Sequence, residues 1–94
     1  MILTTTKSIE HHKIVDYLGI VSGVQLTSFK VAFTAEKMNS KNQEVLNNAK
    51  EEAFQQLRRN AMNLGANAVV GITVDIELTS YIVVTISGTA VKVA

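Results

Sequence analysis

Strict alternation between apolar and polar residues dominates the C-terminal third of the chain. Every second residue is apolar over residues 68–78, and residues 81–93 largely repeat the pattern. A period of two is typical of β-strands with one buried face. Only Thr79 and Ser80 separate the two segments, so the pattern predicts an antiparallel hairpin. The first strand is predicted to place Val70, Ile72, Val74, Ile76 and Leu78 on one face and Gly71, Thr73, Asp75, Glu77 and Thr79 on the other.

A nearly continuous apolar run over residues 13–24 predicts another strand, covered on both faces. Gly19 within it indicates a bulge or the close approach of another backbone, and Ser22-Gly23 indicates a second irregularity near its end. Residues 2–5 are a candidate for a short edge strand. The N-terminal part of the chain is therefore predicted to contribute strands to the same sheet.

The middle of the chain has the spacing of helices. A short helix is predicted over residues 28–37, with Thr27-Ser28 as its N-cap and with Phe29 and Phe33 on its buried side. Residues 38–42 are polar and predict a loop.

A long helix is predicted to begin at Ser40, which forms a capping box with Gln43. Gly65 is predicted to end this helix in a conformation of positive φ. The apolar stripe of the helix consists of Leu46, Ala49, Ala53, Leu57, Ala61 and Leu64.

This order of elements predicts an α+β fold. An antiparallel sheet of about three strands is expected to pack on one long helix and one short helix. The 94 residues fit a single domain over residues 1–94.

Composition excludes several classes of function. The chain has no Cys, which excludes disulfides, thiolate metal sites and cysteine nucleophiles. A net charge of +1 argues against nucleic acid as a partner. No apolar run is long enough to cross a membrane, and the apolar start of the chain is too short for a signal peptide, so a cytoplasmic location is expected.

The balance of apolar and charged residues predicts self-association. Apolar residues make up 47% of the chain and charged residues only 18%, whereas about 25% is usual in soluble domains. A domain of this length buries too little surface to be very stable alone. We therefore expect a homo-oligomer.

Two longer motifs resemble the YbjQ-like family of small, largely uncharacterised bacterial proteins. They are L-G-A-N-A-V-V-G-I at residues 64–72 and S-G-T-A-V-K at residues 87–92. The threonines at residues 4–6, the run at 14–23 and D-I-E at 75–77 follow in matching order. The resemblance implies a dodecin-like β-α-β-β unit, a ring of five copies and a heavy-metal-binding label.

Glycines in this pattern have structural interpretations. Gly65 suits a helix end, and Gly71 and Gly88, inside strands, would let another backbone or a neighbouring subunit approach closely. With Gly19 and Gly23, these are the candidate structural glycines.

Asp75 and Glu77 form the first candidate site. They are two residues apart on a predicted strand, so both side chains point to one face, where hydroxyl groups could flank them. Such a pair could bind a divalent cation such as Mg²⁺ or Ca²⁺. The alternative is a solvated face or salt bridges between subunits.

His11-His12 forms the second candidate site, because imidazole binds zinc, copper and nickel. Adjacent residues of an extended chain point to opposite faces, so an exposed loop is the competing interpretation. Packing in the core or at an interface is the favoured interpretation of Phe29 and Phe33, and an apolar ligand pocket between subunits is the alternative.

No pattern of residues supports catalysis. The five glycines fit neither a dinucleotide-binding nor a P-loop spacing, and no nucleophile is paired with a base. Two hypotheses remain. One is a structural or ligand-binding homo-oligomer that is not an enzyme. The other is a divalent metal-binding protein that uses the strand carboxylates and a histidine.

Overall fold

The fold is a four-stranded sheet with one long helix on one face. The computed structural model describes residues 1–28, 35–79 and 81–94, and of residues 28 and 35–42 it describes the backbone alone. Its elements, in chain order, are β1 (Ile2–Leu3), β2 (Ile14–Ser28), α1 (Ala35–Asn63), β3 (Ala68–Leu78) and β4 (Tyr81–Val93). Among these residues, no helix is both long and apolar enough to cross a membrane.

The sheet is mixed rather than purely antiparallel. Its strand order is β1-β3-β4-β2. β4 pairs antiparallel with both neighbours, whereas β1 pairs parallel with β3 through Ile2 and Leu3. The α+β class is confirmed. The candidate edge strand at residues 2–5 is present as β1, so the sheet has four strands and is mixed, instead of the predicted antiparallel sheet of about three strands.

The start of the long helix differs from the prediction. β2 continues to Ser28, so Thr27 and Ser28 belong to a strand and are not an N-cap. α1 begins at Ala35, so the predicted loop at 38–42 and the capping box at Ser40 are wrong. Those five residues include no Gly or Pro, so nothing in them interrupts a helix. The remaining part of the predicted short helix, with Phe29 and Phe33, lies outside the described residues.

The main core lies between α1 and the sheet. Ala49, Ala53, Leu57 and Ala61 are buried against strand residues that include Ile86. The helix lies very close to β2 at Gly23, where an added Cβ would overlap the main-chain oxygen of Ala53. Gly23 therefore marks close packing of helix on strand and not the predicted irregularity, because it pairs regularly with Ile86.

A bulge at Gly71 reverses the faces of β3. The pairing shifts between Val70 and Thr73, and Gly71 has a φ of 62°. Val69 and Ile72 consequently both pack in the core beneath α1, whereas Val70 packs in a smaller cluster on the opposite face. The prediction that Val70 and Ile72 share a face is wrong, and the predicted alternation holds only from Ile72 onward.

Gly71 and Gly88 have different roles in this region. An added Cβ at Gly71 would meet nothing within 4 Å, so Gly71 serves the left-handed backbone and not a close approach. At Gly88 it would lie 2.7 Å from a side-chain carbon of Val69 and 3.1 Å from the main-chain oxygen of Val70. The close approach predicted at Gly88 thus occurs within the chain.

The predictions for Gly19 and Gly65 are confirmed. Gly19 has a φ of 131° and lies at a register shift of β2. Gly65 has a φ of 82° and donates a main-chain hydrogen bond to Met62, while Ala66 donates one to Ala61. These two bonds form a Schellman motif, which ends α1 and directs the chain into β3.

Candidate functional site

The exposed apolar and acidic side chains of the sheet lie where α1 does not cover it. α1 packs mainly against β2 and β4, so the half of β3 near the hairpin turn lies beside the helix and not beneath it. We call the sheet face opposite α1 the outer face. Near the hairpin turn, no described residue forms a layer over the outer face.

The β2 apolar row is the most exposed apolar feature of the outer face. Val21 and Gly23 face the helix, so Ile20, Val24 and Leu26, which alternate with them, face outward. Tyr17 lies before a register shift and pairs with Val91 of the outer-face cluster, so it faces outward too. The row consists of Tyr17, Ile20, Val24 and Leu26, whose exposed fractions run from 48% to 84%. Ile20 is 84% exposed, although it lies in the middle of a strand.

Asp75 and Glu77 lie side by side on the outer face of β3. Asp75 is opposite Thr85 and Glu77 is opposite Val83, and the hydroxyls of Thr73 and Ser87 are 3.1 Å apart in the next row. Both carboxylates are exposed, and neither forms a salt bridge with a described cationic side chain. The geometry expected from the alternation is present, because both residues follow the bulge.

A second apolar row lies on the helix side of β3. Val74, Ile76 and Leu78 pair with Ile86, Val84 and Ile82, which are buried, yet they are themselves 39–64% exposed. The helix covers the β4 members of these pairs and stops short of the β3 members. We call these three residues the β3 apolar row.

The two histidines lie in a turn at the other end of the sheet. The His12 amide donates to the Ile9 carbonyl at 3.1 Å, and His11 has a φ of 65°. His11 Nε2 is 3.6 Å from Glu10 Oε1, with both side chains exposed, and His12 Nδ1 is 3.3 Å from the main-chain oxygen of Ala94. The two imidazoles thus have separate neighbours.

Within one chain, the predicted metal ligands are not brought together. Thr85, the partner of Asp75, and Val93, beside Ala94, are about eight residues apart on β4, which is about 26 Å along a strand. The described residues include no group of three or more His, Cys, Asp or Glu side chains that could hold a metal ion. With no Cys in the sequence, the described residues do not fit a soft, thiolate-binding metal.

A small polar cleft lies between β2 and α1. Its volume is about 160 Å³, and it is lined by Gln25, Thr27, Val45, Asn48 and Ala49. Ligand pockets are usually about 300–1,000 Å³, so this cleft fits a few water molecules better than an organic ligand. The predicted pocket around Phe29 and Phe33 lies outside the described residues.

The hydrogen bonds that two side-chain amides of α1 form with β2 were not predicted from the sequence. Gln56 Oε1 accepts the Val24 amide at 3.1 Å, and Asn60 Nδ2 donates to the Ser22 carbonyl at 2.8 Å. Their spacing of four residues puts both on one side of α1, along the outer edge of β2. The sequence offered no signal for this, since amides at such positions usually face solvent.

The whole chain matches one family model. Residues 1–94 match YbjQ_1, described as "Putative heavy-metal-binding". The fold is similar to a crystal structure from Pediococcus pentosaceus, of a protein of unknown function in the DUF74 family. The two share 19% identity over 100% of this chain and 98% of the other, with a TM-score of 0.73. A likeness at this identity supports the fold alone, while the match over all 94 residues settles the family: this chain belongs to the YbjQ_1 family.

Proposed function

We propose that the protein is a non-catalytic homo-oligomer that serves as a structural or ligand-binding assembly. The observation that carries the proposal is the β2 apolar row, which lies on a sheet face without a second layer among the described residues. Domains bury a sheet with two apolar faces between two layers. The described residues of one chain provide one such layer, α1, and further copies provide the other.

The shape of the chain also supports association. Its radius of gyration is 15.8 Å and its extents are 53 × 23 × 16 Å. A compact domain of this length has a radius of gyration of about 12 Å. Because the chain is elongated, apolar side chains along its strands stay exposed to solvent. Monomeric proteins rarely expose a large apolar surface, since their largest apolar patch usually covers only about 300–600 Å².

The proposed arrangement is a ring in which the β2 apolar row of each copy turns toward a neighbouring copy and the helices turn outward. A ring of five is what the family resemblance implies, and we adopt that number. Contacts in such a ring join two different patches of neighbouring copies and close by rotation. The ring places the β2 apolar row against protein and leaves the charged side of α1 in water.

Sedimentation velocity on two charge variants tests this proposal. Ile20→Lys places a cation in the β2 apolar row, while Met62→Lys places one at an exposed apolar position of α1, away from the outer face. We expect the wild type and Met62→Lys to sediment as oligomers and Ile20→Lys to sediment as a monomer. A monomeric wild type, or an Ile20→Lys variant that assembles normally, contradicts the proposal.

A second candidate function is the binding of a divalent cation by Asp75 and Glu77. Two exposed carboxylates without a described cationic partner favour it, and a ring would repeat the pair around its axis. Further ligands, such as His11 or His12, would have to come from a neighbouring copy. The predicted ligand is a hard cation bound through oxygen.

Thermal unfolding with a panel of divalent ions tests the second candidate. A bound ion at 100 times its Kd stabilises the folded state by ~2.7 kcal/mol. One ion of the panel should raise the Tm of the wild type and leave the Tm of Asp75→Asn/Glu77→Gln unchanged. Equal Tm values across the panel would exclude this function.

A further inference from the structure

One segment of the sheet edge is left open. β1 covers the start of β3, and beyond β1 the amides of Gly71 and Ile72 donate to Thr6 and Thr4 carbonyls at 2.8 and 3.1 Å. Over residues 73–78, no described strand pairs with this side of β3. We call residues 73–78 the free edge of β3.

The direction of the free main-chain groups follows from Ile72. In an antiparallel strand, alternate residues point both their N–H and C=O groups to the same side. Because the Ile72 amide points away from β4, the outward groups of the free edge belong to Val74, Ile76 and Leu78. Three donors and three acceptors are thus available to an added strand.

The other edge of the sheet is protected. β2 has register shifts between Ile14 and Asp16 and between Tyr17 and Gly19, and such bulges hinder edge pairing. In its middle, Gln56 and Asn60 already bond the outward groups of Val24 and Ser22. Protection on one edge and exposure on the other indicates that the free edge of β3 is a binding surface.

We propose that the free edge of β3 binds an extended segment of a partner protein as an added antiparallel strand, and that this segment alternates apolar and basic residues. Its main chain bonds the outward groups of β3, the mode known as β-augmentation. Its apolar side chains extend the β3 apolar row, and its basic side chains lie beside Asp75 and Glu77.

The alternation follows from the register. A residue placed opposite Val74 or Ile76 lies on the helix side of the sheet, where apolar neighbours are exposed. The residues between lie on the outer face, opposite Asp75 or Glu77, where opposite charges stabilise a cross-strand pair and like charges destabilise it. The hydrogen bonds of this register come from the apolar residues of the partner, and the charge contacts come from its basic residues.

A second copy of this chain fits the free edge poorly. Antiparallel pairing of two β3 strands about a two-fold axis between residues 75 and 77 brings Asp75 and Glu77 against the same two residues of the partner copy. The edge of β2 is protected, as described above. The inference is therefore independent of the proposed ring, which uses the β2 apolar row instead.

Fluorescence anisotropy with a labelled peptide tests this inference. The probe is an octapeptide of alternating Lys and Val at about 0.15 M salt. One control peptide is N-methylated at its valines, which removes the donors that face β3 and keeps the charge. The other has the same composition in two blocks, Lys₄Val₄. We expect saturable binding of the probe and at least tenfold weaker binding of both controls.

Protein variants separate the two parts of the contact. Ile76→Pro removes an outward N–H and no bond to β4, so it should keep the fold and weaken binding at least tenfold. Asp75→Asn/Glu77→Gln, with the edge intact, should do the same. Glu51→Gln/Glu52→Gln, two exposed carboxylates of α1, should leave binding unchanged.

Several results would overturn the inference. Equal binding of the N-methylated peptide means that charge alone attracts the probe. Undiminished binding by folded Ile76→Pro, or no binding of the probe by the wild type, also overturns it. Conversion of a wild-type oligomer to monomers by Ile76→Pro would assign the free edge to a second copy, whereas the proposed ring is tested separately by Ile20→Lys.

Discussion

At Gly23 the backbone of α1 packs directly against the sheet. The main-chain oxygen of Ala53 lies where a Cβ at Gly23 would be, and the main-chain nitrogen of Leu57 would be 2.9 Å from it. Both neighbours are backbone atoms of a helix, and these cannot move away by a change of rotamer as side-chain atoms can. The absence of a side chain at Gly23 therefore lets α1 lie this close to β2.

Gly23→Ala is therefore expected to be strongly destabilising. α1 must move off the sheet, which should lower the free energy of unfolding by about 1–3 kcal/mol or more. Ser22→Ala, at the exposed neighbouring position, should change it by no more than ~0.5 kcal/mol. Urea unfolding of both variants checks this, and equal midpoints would show that the helix can shift freely.

Asn67 joins the end of β4 to the helix–strand connection. Its Oδ1 accepts the Val93 amide at 2.8 Å, and its Nδ2 donates to the Val93 carbonyl at 3.0 Å. The side chain thus pairs with Val93 as the main chain of a neighbouring strand would. Only an amide side chain carries both the donor and the acceptor that this pairing needs. The match explains an Asn between α1 and β3.

Asn67→Asp should be less stable than the wild type, although the two side chains have nearly the same shape. The carboxylate keeps the acceptor for the Val93 amide but repels the Val93 carbonyl, so the free energy of unfolding should fall by about 1–3 kcal/mol at pH 7. Because this repulsion raises the pKa of the Asp in the folded state, the loss should diminish as the pH falls toward about 4, where the protonated acid can donate. Thermal unfolding of wild type and variant at pH 3.5 and pH 7 checks this, and a loss that does not depend on pH contradicts it.

At the scale of elements, α1 both covers the core and closes the edge of β2. Gln56 is central to the second role, because its Nε2 also donates to Gln25 Oε1 at 3.1 Å. Two side chains one helical turn apart thus satisfy main-chain groups that would otherwise be open to another strand.

Gln56→Ala/Asn60→Ala should weaken and expose this edge. Loss of these hydrogen bonds should lower the free energy of unfolding by about 1–3 kcal/mol. Gln55→Ala removes only a surface contact with Glu51, worth about 0.2–0.5 kcal/mol. Urea unfolding, with light scattering to detect aggregation, distinguishes the variants. If the double variant behaves like Gln55→Ala, the amides do not protect the edge.

The sequence predicts those features that depend on near neighbours. The bounds of β3, the end of α1 at Gly65 and the shared face of Asp75 and Glu77 follow from period and turn chemistry. The reversal at Gly71 could not be read from alternation, because one bulged residue moves Val70 to the other face while both faces carry apolar residues.

Other features depend on tertiary partners. β1 forms a strand only because β3 lies beside it. The side-chain amides of Gln56, Asn60 and Asn67 stabilise the sheet because main-chain groups of β2 and β4 lie within hydrogen-bond distance of them. The separation of His11 and His12 from the strand carboxylates depends on the length of β4 between them. A single sequence does not record such distances.

At the scale of the whole molecule, one helix on one face of a long sheet leaves two apolar rows in contact with solvent. The β2 apolar row lies on the outer face, and the β3 apolar row lies beside the helix. We assign the first to further copies of the chain and the second, with the free edge of β3, to a partner strand. Each of the two apolar rows is thus proposed to bind one kind of partner.

Native mass spectrometry of untagged protein, purified without chelator, tests the central claim most directly. The account predicts a species of five times 10.2 kDa, with the monomer a minor component. Additional mass on that species would identify a bound ion or ligand, and its absence would leave the assembly intact. A spectrum dominated by a single 10.2 kDa chain at micromolar concentration would contradict the account.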